Sequence, residues 1–299
     1  MNFIAAFFCG GMVMEICDLS KVYKGKKVLD IKKLHIEEGQ IYALVGENGA
    51  GKTTFFRILA GLALPTSGTI EFASSNERLG VMIEQPAIEL NMTAEENLCW
   101  VSKVYGEENC QNIQNLLELV RLSGEVKKVR RFSLGMKQRL GIAMSLLHSP
   151  NVLILDEPMN GLDPLGMIEL RNILLEINKR GTTIILSSHI LEEVYKIATD
   201  YIFIKNGKII QVKKLEDMEK MEEGYFEIVT SNNEKAKQVL KDKFECEVRE
   251  ENERLIFELK SKNILSLSKC LTSEEVYILG LSKREFSIEA YYMEVVGAK

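Results

Sequence analysis

The sequence predicts an α/β fold. A mainly parallel sheet with helices on its faces carries an antiparallel β subdomain and a helical subdomain, and a small α+β domain follows. Three observations predict it. A glycine-rich loop, Gly46–Thr53, stands between an apolar β-rich run and a run with helical spacing. Short continuous apolar runs such as Asn151–Leu155 and Thr182–Leu186 alternate with helical stretches, the pattern of buried parallel strands joined by crossover helices. The charge balance shifts near Lys214: 13 basic against 19 acidic residues from Leu215 to Lys299, against 25 and 24 before it.

Taken in order, residues 1–13 are almost wholly apolar and read as a leader outside the fold. The run is too short to span a bilayer and lacks the basic start of a signal peptide. Residues 14–45 alternate apolar and polar and are broken by Tyr23-Lys24-Gly25-Lys26-Lys27 and Glu37-Glu38-Gly39-Gln40, which predicts short antiparallel strands. Gln40–Val45 is a strand that stops at Gly46, and Thr53–Leu62 is a helix. Thr69–Phe72 and Leu79–Ile83 read as strands, and 86–149 as the helical subdomain. Asn151–Leu155 fits a buried strand and Leu165–Arg180 an amphipathic helix with a C-cap at Gly181. Thr182–Leu186 is a strand, Ile190–Thr199 a helix, and Tyr201–Lys205 with Lys208–Gln211 a hairpin over Asn206-Gly207. This first domain spans 14–214, and a charged connector, 215–224, follows. The accessory domain, 225–299, reads as strands at Tyr225–Thr230, Glu245–Val248, Arg254–Lys260 and Val276–Leu279, with helices at Asn233–Lys243 and Ile264–Leu271.

Composition narrows the function. With 46% hydrophobic and 27% charged residues in 299, the chain is an ordinary globular protein. The absence of any run of about 20 apolar residues excludes a membrane channel. A net charge of −5, with neither half strongly basic, gives no sign of a nucleic-acid surface. Six cysteines without a C-x-x-C pair, and three histidines, complete no zinc pattern; the thiols fit a reducing compartment.

Gly46-Glu47-Asn48-Gly49-Ala50-Gly51-Lys52-Thr53 fits G-x-x-x-x-G-K-[ST], with the strand and helix that such a loop requires on either side. Backbone N–H groups of this loop and of the helix start, Thr54 included, would converge on phosphate oxygens. Lys52 would reach the β- and γ-phosphates, and Thr53 would ligate Mg²⁺. About 100 residues on, the apolar strand ends in Asp156-Glu157. Asp156 can hold Mg²⁺, and Glu157 can act as general base toward the attacking water. Together these describe a site that hydrolyses a nucleoside triphosphate.

Residues 14–214 resemble the ATP-binding subunits of ABC transporters. Gln85 falls where that family has its glutamine loop, which contacts Mg²⁺ and the γ-phosphate. Phe132-Ser133-Leu134-Gly135-Met136 falls at the signature motif, Gly161-Leu162-Asp163 at the D-loop, His189 at the switch histidine, and Tyr23 at the aromatic residue that stacks on adenine. The signature keeps Ser133 and Gly135 but carries Leu134 for a glycine and Met136 for a glutamine. The runs around Ser133 and Asp163 are similar to those of bacterial exporter ATPases of the bacitracin-resistance and lantibiotic-immunity branch.

The resemblance implies an ATPase with ATP and Mg²⁺ at its site, catalytic Glu157, His189 and Gln85, and nucleotide contacts from Tyr23, the phosphate loop, Ser133, Gly135 and Asp163. It implies two such subunits, identical or homologous, facing head to tail so that Ser133 and Gly135 act in trans. It also implies a separate transmembrane permease that holds the subunit at the cytoplasmic face of the cell membrane. A soluble ABC-type ATPase without a transport role is the alternative, and a small-molecule P-loop kinase is a third reading.

Overall fold

The computed structural model describes residues 12–74, 78–104, 106, 112–221, 224–259, 264–284 and 286–297. The leader lies outside these residues except at its end, as do Cys9 and Cys110. In chain order the elements are β1 (Met12–Tyr23), β2 (Lys26–Glu37), β3 (Ile41–Val45), α1 (Lys52–Leu59), β4 (Ser67–Phe72), β5 (Leu79–Met82), α2 (Ala94–Val104) and α3 (Ile113–Leu119). Then come α4 (Leu134–Ser145), β6 (Val152–Leu155), α5 (Pro164–Lys179), β7 (Thr183–Ser187), α6 (Leu191–Tyr195), β8 (Asp200–Lys205) and β9 (Lys208–Lys214). The chain ends with α7 (Leu215–Met221), β10 (Tyr225–Thr230), α8 (Asn233–Phe244), β11 (Val248–Glu251), β12 (Arg254–Glu258), α9 (Ile264–Ser273), β13 (Ile278–Lys283) and α10 (Ile288–Val296).

The chain divides into two compact units, one ending at Leu215 and resuming at Ile288, the other running from Glu216 to Ser287. The first holds an antiparallel sheet of order β2-β1-β4 and a six-stranded sheet of order β5-β6-β7-β3-β8-β9. The six-stranded sheet is parallel except for β9, which returns on β8 through the Asn206-Gly207 hairpin. Its central strands are buried at every position, β3, β6 and β7 alike, as their unbroken apolar runs require. Helix α1 carries Phe55, Phe56, Ile58 and Leu59 into one core shared with Ile16, Leu29 and Ile31 of the antiparallel sheet and Ile154, Ile185 and Ile202 of the parallel one. Each such side chain contributes about 1.5–3 kcal/mol on burial. That packing anchors the helix whose first turn follows the glycine-rich loop.

Several sequence expectations shift. β1 starts at Met12, and Val13 is buried in the core, so the fold begins before Met14. The helix expected over Ile190–Thr199 closes after Tyr195. The strand expected at Glu245–Val248 begins only at Val248, because Glu245 is the left-handed C-cap of α8 with φ 53°. The hairpin turn beyond it, at Asn252-Glu253, uses φ values of 48° and 64°.

The second unit is a β-α-β-β-α-β module of antiparallel strand order β11-β12-β10-β13, the split βαβ arrangement of ferredoxin-like folds. Its own core includes Ile228, Leu240, Leu255, Phe257, Leu267 and Leu271. The last helix does not belong to it. α10 packs on α6, β8 and β9 of the first unit, so residues 225–299 do not form one separate body. Tyr291 and Tyr292 lie 5.7 and 6.4 Å from the ring of Phe203. Tyr291 Oη bonds Gln211 Oε1 at 3.1 Å. The Lys205 ammonium meets the Val296 carbonyl at the end of α10, where a helix favours positive charge.

Candidate functional site

The site gathers at the C-terminal ends of β3, β6 and β7, neighbouring strands of the parallel sheet, where ligands bind in open α/β sheets. β3 ends at Val45 and the loop begins with Gly46, whose backbone lies so close to β8 that a Cβ would stand 2.4 Å from the Ile204 carbonyl oxygen. The loop is also held from outside its own segment: the Gly207 N–H donates to the Ala50 carbonyl at 2.8 Å. α1 then starts with no side-chain cap, which leaves its first-turn N–H groups for an anion.

Lys52 is 7% exposed and curls back over the loop, its ammonium donating to the Gly46 carbonyl at 2.6 Å and the Glu47 carbonyl at 3.3 Å. It also stands 3.8 Å from Glu157 Oε1. A pocket of about 260 Å³ opens here, lined by Glu47, Asn48, Gly49 and Gly51 of the loop, by Lys52, Thr53 and Thr54 of the helix, and by Val28, Asp156 and Glu157. Val28, five residues beyond Tyr23 on the neighbouring strand, carries no motif that marks it for this wall.

The two carboxylates are placed differently. Asp156 is buried, and its N–H donates to the Met82 carbonyl at 2.9 Å. Glu157 holds φ 51°, a left-handed conformation that a residue with a side chain keeps only with outside support. Its N–H donates to Ser187 Oγ at 2.9 Å, and Ser187 Oγ donates to Asp156 Oδ1 at 2.6 Å. Glu157 Oε2 accepts the His189 N–H at 3.2 Å and lies 2.7 Å from His189 Nδ1. Lys52, Asp156, Glu157 and His189 therefore form one connected group. Ser187 was not expected from the sequence; its only signal is its place two residues before His189.

The remaining candidates lie elsewhere. Ser133 caps α4, its Oγ accepting the Met136 N–H at 3.2 Å. Asp163 caps α5, its Oδ1 accepting the Gly166 N–H at 3.0 Å. Signature and D-loop touch: a Cβ on Gly161 would stand 3.0 Å from Leu134 Cδ2, and one on Gly135 3.7 Å from Leu162 Cδ2. Neither segment lines the phosphate pocket of its own chain. Tyr23 is 44% exposed with the Lys21 ammonium 4.8 Å from its ring centre. Gln85 is exposed and outside the pocket lining, while its neighbour Glu84 pairs with Arg57 of α1.

No group of three or more His, Cys, Asp or Glu among the described residues could cage a metal. Thr53 and Asp156 nevertheless both line the pocket, a donor set of the kind that suits Mg²⁺, which is usually held by one or two protein oxygens together with substrate phosphates. At the C-terminus, burial, and then the charge of Glu47, push the Tyr292 phenol up.

The family profile described as ABC transporter matches residues 29–160. The bacitracin transport ATP-binding protein BcrA of Bacillus licheniformis is 37% identical over 298 residues, covering 95% of this chain and 97% of that protein. The lantibiotic transport ATP-binding protein SrtF of Streptococcus pyogenes is 44% identical over 218 residues, 71% of this chain and 95% of that one. A solved ATP-binding subunit of an ABC transporter superimposes with a TM-score of 0.61 at 30% identity, over 70% of this chain and 92% of that one. These similarities support the transport-type ATPase over the non-transport alternative.

Proposed function

The chain belongs to the ABC transporter family as an ATP-binding and ATP-hydrolysing subunit, and from that premise we propose that it powers export of a bacitracin- or lantibiotic-like peptide antibiotic. The cargo class rests on the two named relatives. The match to the bacitracin protein runs on through the second unit, whereas the lantibiotic match covers 71% of the chain. No helix among the described residues is long and apolar enough to cross a membrane. In this reading a separate permease supplies the path, as the family resemblance implies, and the subunit works as a peripheral protein on the inner face of the membrane.

One observation carries the chemical reading: Lys52 and Glu157 line the pocket together with Thr53 and Asp156, and His189 joins them through Glu157. Loop and helix N–H groups receive the β- and γ-phosphates. Lys52 turns from the Gly46 carbonyl to the γ-phosphate, a stronger acceptor. Tyr23 stacks on the adenine. Thr53 and Asp156, joined by Gln85, would hold Mg²⁺, which supplies neutralisation of phosphate charge. Glu157 takes a proton from the attacking water, whose oxygen bonds to the γ-phosphorus as the bond to the ADP oxygen breaks. His189 holds Glu157 through its N–H and Nδ1–H.

Ser133, Gly135 and Asp163 complete the site of a second ATPase subunit, because they sit away from their own pocket. Ser133 Oγ spends an acceptor site on its helix, and its O–H remains a donor for phosphate. ATP then bridges the two subunits, and hydrolysis releases them.

The test is antibiotic tolerance. Expression in its own genomic context should raise the inhibitory concentration of bacitracin or a lantibiotic, and a multi-span membrane protein should co-purify. Glu157→Gln should abolish the gain. Unchanged tolerance to both antibiotic classes, with the permease bound, would overturn the cargo reading. No co-purifying membrane protein would overturn the transport role.

A further inference from the structure

β7 ends one residue before the Ser188-His189 pair, and its last residue, Ser187, is fully buried. The sheet register puts it between the two halves of the site. Leu155 pairs with Leu186, so Ser187 stands beside Asp156; Leu44 pairs with Ser187 on the other side, one residue from the end of β3. We propose that Ser187 is a positioning residue for ATP hydrolysis, fixing the Mg²⁺-side carboxylate and the base with one hydroxyl. The proposal rests on the roles assigned above to Asp156 and Glu157.

The polarity of the contacts is determined by chemistry. An ionised carboxylate only accepts, so the single Ser187 proton goes to Asp156 Oδ1 at 2.6 Å. The Ser187 oxygen then accepts the Glu157 N–H at 2.9 Å. A backbone carbonyl could receive that N–H but could not also give a proton to Asp156. A hydroxyl is the smallest group that does both.

Two consequences follow. Asp156 is held by one oxygen while its carboxylate lines the pocket, so the bond orients the group without occupying both oxygens. Glu157 is held at φ 51° by a bond to its own N–H, and that backbone conformation delivers Oε2 to His189 at 2.7 Å. Without the hydroxyl, a part-buried N–H and a buried carboxylate oxygen both lose a partner, and the left-handed conformation loses an anchor.

The experiment compares Ser187→Ala, Ser187→Thr and Glu157→Gln in the full chain. Binding of a fluorescent ATP analogue is followed in EDTA and then as Mg²⁺ is added; phosphate release gives turnover. For Ser187→Ala, binding in EDTA should stay within about twofold of wild type. The Mg²⁺ concentration for half-maximal response should rise about tenfold, and kcat should fall about 10- to 100-fold, as for other outer-sphere partners of metal ligands. Ser187→Thr should recover most of both if the added methyl is accommodated; if it is not folded, Ser187→Ala decides alone. A Mg²⁺ midpoint within twofold of wild type would overturn the proposal. So would an equal loss of binding in EDTA, which marks a merely structural role. Wild-type turnover in Glu157→Gln would instead remove the base assignment on which the proposal stands.

Discussion

Glu157→Gln tests two opposite effects of one atom change. The carboxylate stands 3.8 Å from the Lys52 ammonium and 2.7 Å from His189 Nδ1. The amide keeps the size, and its oxygen can still accept both His189 N–H groups, so the fold and the left-handed turn persist. What goes is basicity and one negative charge. Loss of a general base costs about 10²–10⁴ in rate, or roughly 3–5 kcal/mol on the barrier. The charge works the other way. A pair at this distance interacts by at most roughly 4 kcal/mol at an effective dielectric of about 20. Glu157 is 23% exposed and Lys52 keeps the Gly46 carbonyl, so a net gain of about 1 kcal/mol, near fivefold in ATP affinity, is expected. Phosphate release and fluorescent-nucleotide binding measure the two effects, and size-exclusion with ATP should show a dimer. Turnover within about tenfold of wild type, with only monomer in ATP, would place the base elsewhere.

Further outcomes follow from the same geometry. Lys52→Ala removes the buried ammonium of the pocket and should weaken nucleotide binding and lower turnover by about 10²–10³; near-normal turnover would sink the phosphate-loop roles. Ser133→Arg should bind ATP as a monomer but lose ATP-driven dimerisation. Mixed with Lys52→Ala it should regain activity, since each mixed dimer gathers both defects in one composite site; mixed dimers that never exceed either parent would argue against action in trans. Gly207→Ala places a Cβ 2.2 Å from the Val28 carbonyl oxygen at φ +76° and should cost roughly 2–4 kcal/mol, with weaker ATP binding because Gly207 also holds Ala50; unaltered unfolding in urea would count against that clamp. A chain cut after Lys214 should melt roughly 5–10 °C below one that lacks only residues 216–287 and keeps α10 on a short linker; equal melting temperatures would mean that α10 adds nothing to the first unit.

The parts of the fold that could be read from the sequence are those with local causes. β3, β6 and β7 are unbroken apolar runs because both of their faces are covered. Asn206-Gly207 marks its hairpin because both residues take positive φ, 50° and 76°. Where tertiary contact decides, local signals mislead. α10 has no charged-face periodicity to separate it from a strand, and its place against Phe203 is set by a neighbour more than 80 positions away. Likewise Glu245 reads as the start of a strand until its left-handed turn closes α8.

The site shows the same division one level up. Spacing alone identifies Gly46–Thr53, since one short segment makes the whole cradle, and Asp156-Glu157 follow from a strand end. Ser187 has no such signature, because its role is a matter of register. Leu155 opposite Leu186, and Leu44 opposite Ser187, bring one hydroxyl between a carboxylate 31 positions away and a glutamate N–H 30 positions away. Side chains alternate along a strand, so a slip of one residue in β7 would turn that hydroxyl to the other face of the sheet. Polar contacts mark the register at both ends of the buried run: Thr183 Oγ1 accepts the Gly39 N–H at 2.9 Å, and Ser187 Oγ meets Asp156 and Glu157. The apolar strand therefore serves the chemistry as well as stability: it sets the position of a hydroxyl to which two acidic residues are bound.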